Sequence, residues 1–147
     1  MSEERRRGVA LFNATWELII SRDDDDRMLH MAHASRFHWG EAPECEPENL
    51  ARGEWLVSRV YALLGRAEPA IWHAQRCLDH CEQNGIGDWD LAYAYEALAR
   101  AHALAGNPEA AEWKGKARAA GDAIADSEDR EHFDEDCSTL PGEEDAR

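Results

Sequence analysis

The chain has 147 residues, of which 31 are Asp or Glu and 16 are Lys or Arg, for a formal charge of −15. This is the length of one ordinary domain, and no apolar run approaches the roughly 18 residues of a membrane span. Phosphate recognition asks for a net basic face, so the composition speaks against nucleic acid and against a membrane as partners. Hydrophobic periodicity is helical throughout, without the apolar/polar alternation of a strand. A first helix is expected from Glu4 to Ile20, with Val9, Phe12, Trp16, Ile19 and Ile20 in steps of three and four. Ser21 to Asp23 turn the chain, and the acids from Asp23 suit the first turn of a second helix that runs to Trp39. An acidic loop follows from Gly40 to Pro47, and Asn49 is the expected N-cap of a third helix that stops at Gly65. A fourth helix spans Glu68 to Asn84 and stops at Gly85; Asp88 is the expected cap of a fifth, which ends at Gly106. Asn107-Pro108 has the pattern of a helix start, and the sixth helix fades near Ala125. A short polar seventh helix begins at Ser127.

The last 22 residues, 126–147, hold 10 acids and 2 bases, a net of −8 in the total of −15. From Thr139 the chain carries one large apolar residue, too little to offset the entropy of ordering it, so 139–147 reads as an acidic disordered tail. Met1 to Ile20 mixes Glu3 and Glu4 with Arg5 to Arg7 and has no apolar h-region, a poor signal peptide. The four cysteines form no secreted disulfide framework, so a cytoplasmic location is expected. With 14 Arg against 2 Lys and abundant Ala, the composition resembles that of a GC-rich bacterial genome.

Shifting the chain against itself by 41 residues pairs Ala51 with Ala92, Arg59 with Arg100, Gly65 with Gly106, Ala70 with Ala111 and Trp72 with Trp113, among eight identities in 32 positions. Stretches 62–70 and 103–111 read as one helix–turn–helix elbow used twice, with glycine where a left-handed residue is needed. On this shift Ala70 and Ala111 would be equivalent points of close helix approach.

The elbow resembles the tetratricopeptide repeat, whose pattern runs W-x2-L-G-x2-Y, A-x3-F, P. The first unit offers Val57, Ser58, Tyr61, Ala70 and Ala74; the second offers Leu98, Ala99, His102 and Ala111. The opening Trp, the Phe and the closing Pro of the pattern are missing, and the period is 41 rather than 34, close to the longer repeats of kinesin light chains. The resemblance covers residues 49–123. It implies an all-α right-handed superhelix of antiparallel helix pairs, about seven helices in all, in one domain over 1–138. Its units would be a hairpin at 4–40, repeats at 49–85 and 88–125, and a capping helix at 127–138.

The resemblance also implies that ligands lie on the concave face made by the first helix of each pair. Carried over residue by residue, that face holds Arg52, Trp55 and Arg59 in one repeat and Tyr93, Glu96 and Arg100 in the next. Arg59 and Arg100 share a register and would clamp a carboxylate or phosphate; pairing with neighbouring acids would silence them. The leading expectation is a non-catalytic module that binds a protein or peptide, with no cofactor. The rival is a metal-binding helical protein using His30, His33 and His38, which share a broad helix face. His73, Cys77, His80 and Cys81 form a second row that one straight helix cannot wrap around an ion. A homodimer that fills its own groove is a third reading. No phosphate loop, nucleophile elbow or other catalytic motif is present.

Overall fold

Seven helices follow one another in a computed structural model that describes residues 1–142: α1 (Glu3–Ser21), α2 (Asp25–Glu41), α3 (Pro47–Leu63), α4 (Ala67–Asn84), α5 (Asp88–Leu104), α6 (Ala110–Asp122) and α7 (Ser127–Cys137). Among the described residues there is no strand, and no helix is long and apolar enough to cross a membrane. The fold is all-α.

Local chemistry sets the helix starts. Ser2 Oγ accepts from Arg5 N at 3.1 Å, and Asp24 Oδ1 accepts from Arg27 N at 3.0 Å. Asp126 Oδ1 accepts from Glu128 N at 2.8 Å and Asp129 N at 3.0 Å, each satisfying orphan donors of a first turn. Two caps differ from expectation. Helix α3 starts at Pro47, which suits the first helical position, and Asn49 reaches back from inside the helix to accept from Glu46 N at 2.9 Å. Asp88 takes a left-handed φ of 53° as the first residue of α5, and its carboxylate accepts from Ala125 N at 3.0 Å, which ties α5 to the exit of α6.

The elbows after α3 and α5 are the same turn. Gly65 and Gly106 have φ of 74° and 73°. Arg66 N donates to Tyr61 O, and Asn107 N to His102 O, both at 2.9 Å. Gly65 N donates to Ala62 O, and Gly106 N to Ala103 O, both at 3.1 Å. This six-to-one bond with a left-handed glycine is the Schellman termination.

Past the elbow the two stretches fall out of step by one residue. Ala70 N donates to Arg66 O, four residues back, whereas Ala110 N donates to Asn107 O, three back. Everything after the tighter turn therefore comes one residue early. Ala70, Cys77 and Cys81 are buried, and so are Ala110, Ala117 and Gly121, 40 positions on; Ala111, Arg118 and Asp122, 41 on, are exposed. The expected equivalence of Ala70 and Ala111, and of Trp72 and Trp113, does not hold. His73 stacks on Tyr61 at 5.7 Å and 15°, and Trp113 stacks on His102 at 6.3 Å and 16°.

Each helix packs on its sequence neighbours. In addition α3 meets α1 and α5, and α7 lies on α5 and α6; the backbones of α2, α4 and α6 stay apart, though His33 of α2 meets the His73 ring of α4 edge-on at 5.4 Å. Buried apolar residues join α2 to α3 through Met28, Ala32, Leu56 and Val60, and α3 and α4 to α5 through Ala51, Ala74, Leu78 and Leu98. At the far end Phe133 of α7 fills the space beside Gly121, where an added Cβ would meet its ring at 2.5 Å.

The expected disordered tail is corrected at its start. Leu140 is buried, Arg100 Nη2 donates to Thr139 Oγ1 at 2.9 Å and Arg100 Nη1 to Thr139 O at 3.1 Å, and Lys114 Nζ donates to Pro141 O at 2.6 Å. Burying one leucine is worth about 1.5–3 kcal/mol, and with these bonds it offsets the ordering of a few residues. The rest of the expected tail, 143–147, lies outside the described residues.

Candidate functional site

A cavity of about 370 Å³ opens where α1, α3, α5 and α7 converge. Helical spacing places its walls: Phe12 and Trp16 are one turn apart on α1, Arg52 and Trp55 on α3, and Trp89 and Tyr93 on α5. Ala51 and Cys77 floor it between these rings, and α7 brings Asp129, His132 and Asp136 to its edge.

The rings support one another. Trp16 stacks on Trp55 at 5.7 Å and 30°, and Tyr93 meets Trp55 edge-on at 5.6 Å. Tyr93 is gripped from behind by Phe133 at 4.9 Å and donates its hydroxyl to Asp136 Oδ2 at 2.5 Å. Burial, together with that bond, pushes the phenol pKa up, so Tyr93 stays protonated. Arg52 makes a two-pronged bond to Asp90, with Nε and Nη2 each 2.9 Å from a carboxylate oxygen, and its guanidinium lies 4.4 Å from the centre of the Trp89 ring. The bond to Asp90 raises the Arg52 pKa still further. The Nε1–H of Trp55 is buried without an acceptor.

Of the six residues expected on the binding face, Arg52, Trp55 and Tyr93 line this cavity, and Arg59, Glu96 and Arg100 do not. Those three form a charge cluster in which Glu96 is buried and the two arginines are partly buried. Glu96 is 1% exposed, and its Oε1 accepts from Arg100 Nη2 at 3.1 Å with Arg59 Nη1 at 3.7 Å. Arg100 also donates to Asp136 O at 3.1 Å besides its bonds to Thr139. Arg100 is therefore spent inside the molecule, and Arg59 faces Glu96 rather than the cavity. Burial, and then the neighbouring Arg100 charge, lower the Arg59 pKa; Arg59 Nε and Nη1 and Glu96 Oε2 remain without hydrogen-bond partners.

The expected metal set disperses. His30 Nδ1 donates to Asp26 O at 2.8 Å, His33 Nε2 bonds the Tyr61 hydroxyl at 2.9 Å, and His38 Nδ1 donates to Glu4 Oε2 at 2.6 Å. Three imidazoles of one helix meet three different partners, and no three His, Cys, Asp or Glu among the described residues are grouped to hold an ion. In the second row, His73 Nδ1 donates to Glu54 Oε2 at 2.7 Å, while Cys77 and Cys81 are buried. Glu54, at 3% exposure, is the centre of that region and also accepts from Arg36 Nε at 3.2 Å and Arg76 Nε at 3.1 Å.

Sequence reasoning missed Phe12, Trp16 and Trp89 as cavity walls, and Asp129, His132 and Asp136 as its rim. The i, i+4 spacing of Phe12 with Trp16 is on the page of the sequence. The α1–α2 hairpin, however, does not align with the repeated stretch, so no face could be assigned to it. No protein-family model, curated protein or solved structure matches the chain.

Proposed function

We propose that the chain is a non-catalytic, tetratricopeptide-like module that holds a peptide segment of a partner protein in the trough formed by α1, α3 and α5. The observation that carries this reading is the cavity of about 370 Å³ with aromatic walls from all three of those helices. The packing supports it: the backbones of α1 and α5 both lie close to that of α3, whereas those of α2, α4 and α6 stay apart from one another. The repeated Schellman elbow supports it as well. Aromatic walls supply large contact area at small entropic cost. Proteins of this build are rigid scaffolds, which keeps the cost of ordering on the ligand's side.

The test is to pan a random peptide library on the purified protein and to measure the selected peptides against two variants. Phe12→Ala with Trp89→Ala is expected to weaken them at least about tenfold, as for loss of a hot-spot pair. Trp72→Ala, on a ring that is 56% exposed and outside the cavity, is expected to leave them unchanged. Thermal melts of both variants establish that they are folded. Failure to select any peptide, or indifference of the selected peptides to the cavity variant, overturns the reading.

A further inference from the structure

The cavity has a chemical preference of its own. Three carboxylates face it or rim it, from Asp90, Asp129 and Asp136, against the single guanidinium of Arg52, which is already committed to Asp90. Of the remaining walls, Ala51 and Cys77 are uncharged, His132 stands at the rim with Nε2 3.7 Å from Asp136 Oδ2, and the rest are indole, phenol and phenyl rings, whose faces carry negative quadrupole potential. An anion would be repelled by both sets of groups. The chain's own Arg52 already demonstrates the fit, since a guanidinium rests over Trp89 at 4.4 Å. A net charge of −15 adds long-range attraction for a basic segment.

We infer that the occupant of the cavity is a cationic side chain, a lysine or arginine of the bound segment, held between the rings of Trp16, Trp55, Trp89 and Tyr93 and the carboxylates of Asp129 and Asp136. The inference rests on the peptide-binding reading and sharpens it: the partner's motif is basic, with its charge desolvated by indoles.

The test uses a pentapeptide, Gly-Ala-Lys-Ala-Gly, and its counterpart with norleucine for lysine, each titrated at millimolar concentration into 15N-labelled full-length protein. The indole N–H resonances are the readout, assigned with single Trp→Phe variants. The lysine peptide is expected to move the Trp55 and Trp89 resonances, to leave that of Trp72 in place, and to bind about tenfold more tightly than norleucine. Asp129→Lys, a change at an exposed rim position, is expected to weaken the lysine peptide about threefold or more and to leave the norleucine peptide unaffected. Equal shifts by both peptides overturn the cationic assignment, and so does the absence of any shift. The groove reading itself is decided separately by panning: cavity-dependent peptides that lack Lys and Arg would preserve it while removing the cation.

Discussion

Glu54 is the residue on which the α2–α4 side turns. Burial alone would raise its pKa, yet hydrogen bonds from His73 and Arg76 and the charges around it bring it from 4.5 down to about 2. A carboxylate depressed in the folded state stabilises fully above its unfolded value and loses that contribution as protons bind. Stability is therefore expected to fall as pH drops from about 4.5 toward about 2. Glu44, held at about 2 by hydrogen bonds from Ser2, titrates in the same window, so a Glu54→Gln variant is expected to flatten this slope without abolishing it. Urea unfolding at several acidic pH values checks it; an unchanged slope in the variant removes Glu54 as the cause. At neutral pH the same substitution leaves Arg36 and Arg76, both partly exposed to solvent, beside a neutral amide and is expected to cost about 1–3 kcal/mol. Single residues were only half legible in the sequence. The shared register of Arg59 and Arg100 is real, but register says nothing of depth. Glu96 lies one turn from Arg100 on α5, a pairing readable from the spacing; the reach of Arg59 across to Glu96 and of Arg100 to Thr139, some forty residues downstream, has no local sequence signal.

At the scale of elements, the elbow and the slip behind it make opposite demands on small residues. Gly65→Ala and Gly106→Ala each force a Cβ into left-handed backbone at equivalent turns, with open space around both. Each is expected to cost about 1–2 kcal/mol, nearly equally, in chemical unfolding. Ala70→Leu and Ala110→Leu enter closed contacts and are expected to lose about 1–3 kcal/mol. Ala111→Leu, on an exposed face, is expected to stay within about 0.5 kcal/mol. Comparable losses at Ala110 and Ala111 would refute the one-residue slip. Helix existence and order were readable because apolar spacing and Gly/Pro punctuation are local. The slip was not, because the identities Ala70/Ala111 and Trp72/Trp113 point to 41, whereas a single turn hydrogen bond, three residues back instead of four, sets 40. Likewise Asn49 marks the start of α3 from inside it, since an N3 side chain and an N-cap leave the same polar signature.

For the whole molecule, 31 acids against 16 bases mean that folding gathers like charges. Raising salt through the range where the Debye length shrinks from about 30 Å to about 8 Å is expected to raise the melting temperature. A fall would show that attractive pairs such as Arg52 with Asp90 outweigh the net repulsion. The all-helical class was legible as composition and period, and the repeat register put Arg52, Trp55 and Tyr93, which share the cavity, on one face. The cavity was not, because it needs α1 and α7, two of the three helices outside the repeated stretch, to close around it.

The contact between Trp16 and Trp55, with ring centres 5.7 Å apart and planes inclined by 30°, has an optical consequence. Two indole chromophores so near and not parallel couple excitonically, and their split band overlaps the helical signal in far-ultraviolet circular dichroism. Helix content read from that spectrum will be biased. The difference spectrum between the wild type and Trp16→Phe isolates the couplet, a label-free gauge of how closely α1 stays docked on α3.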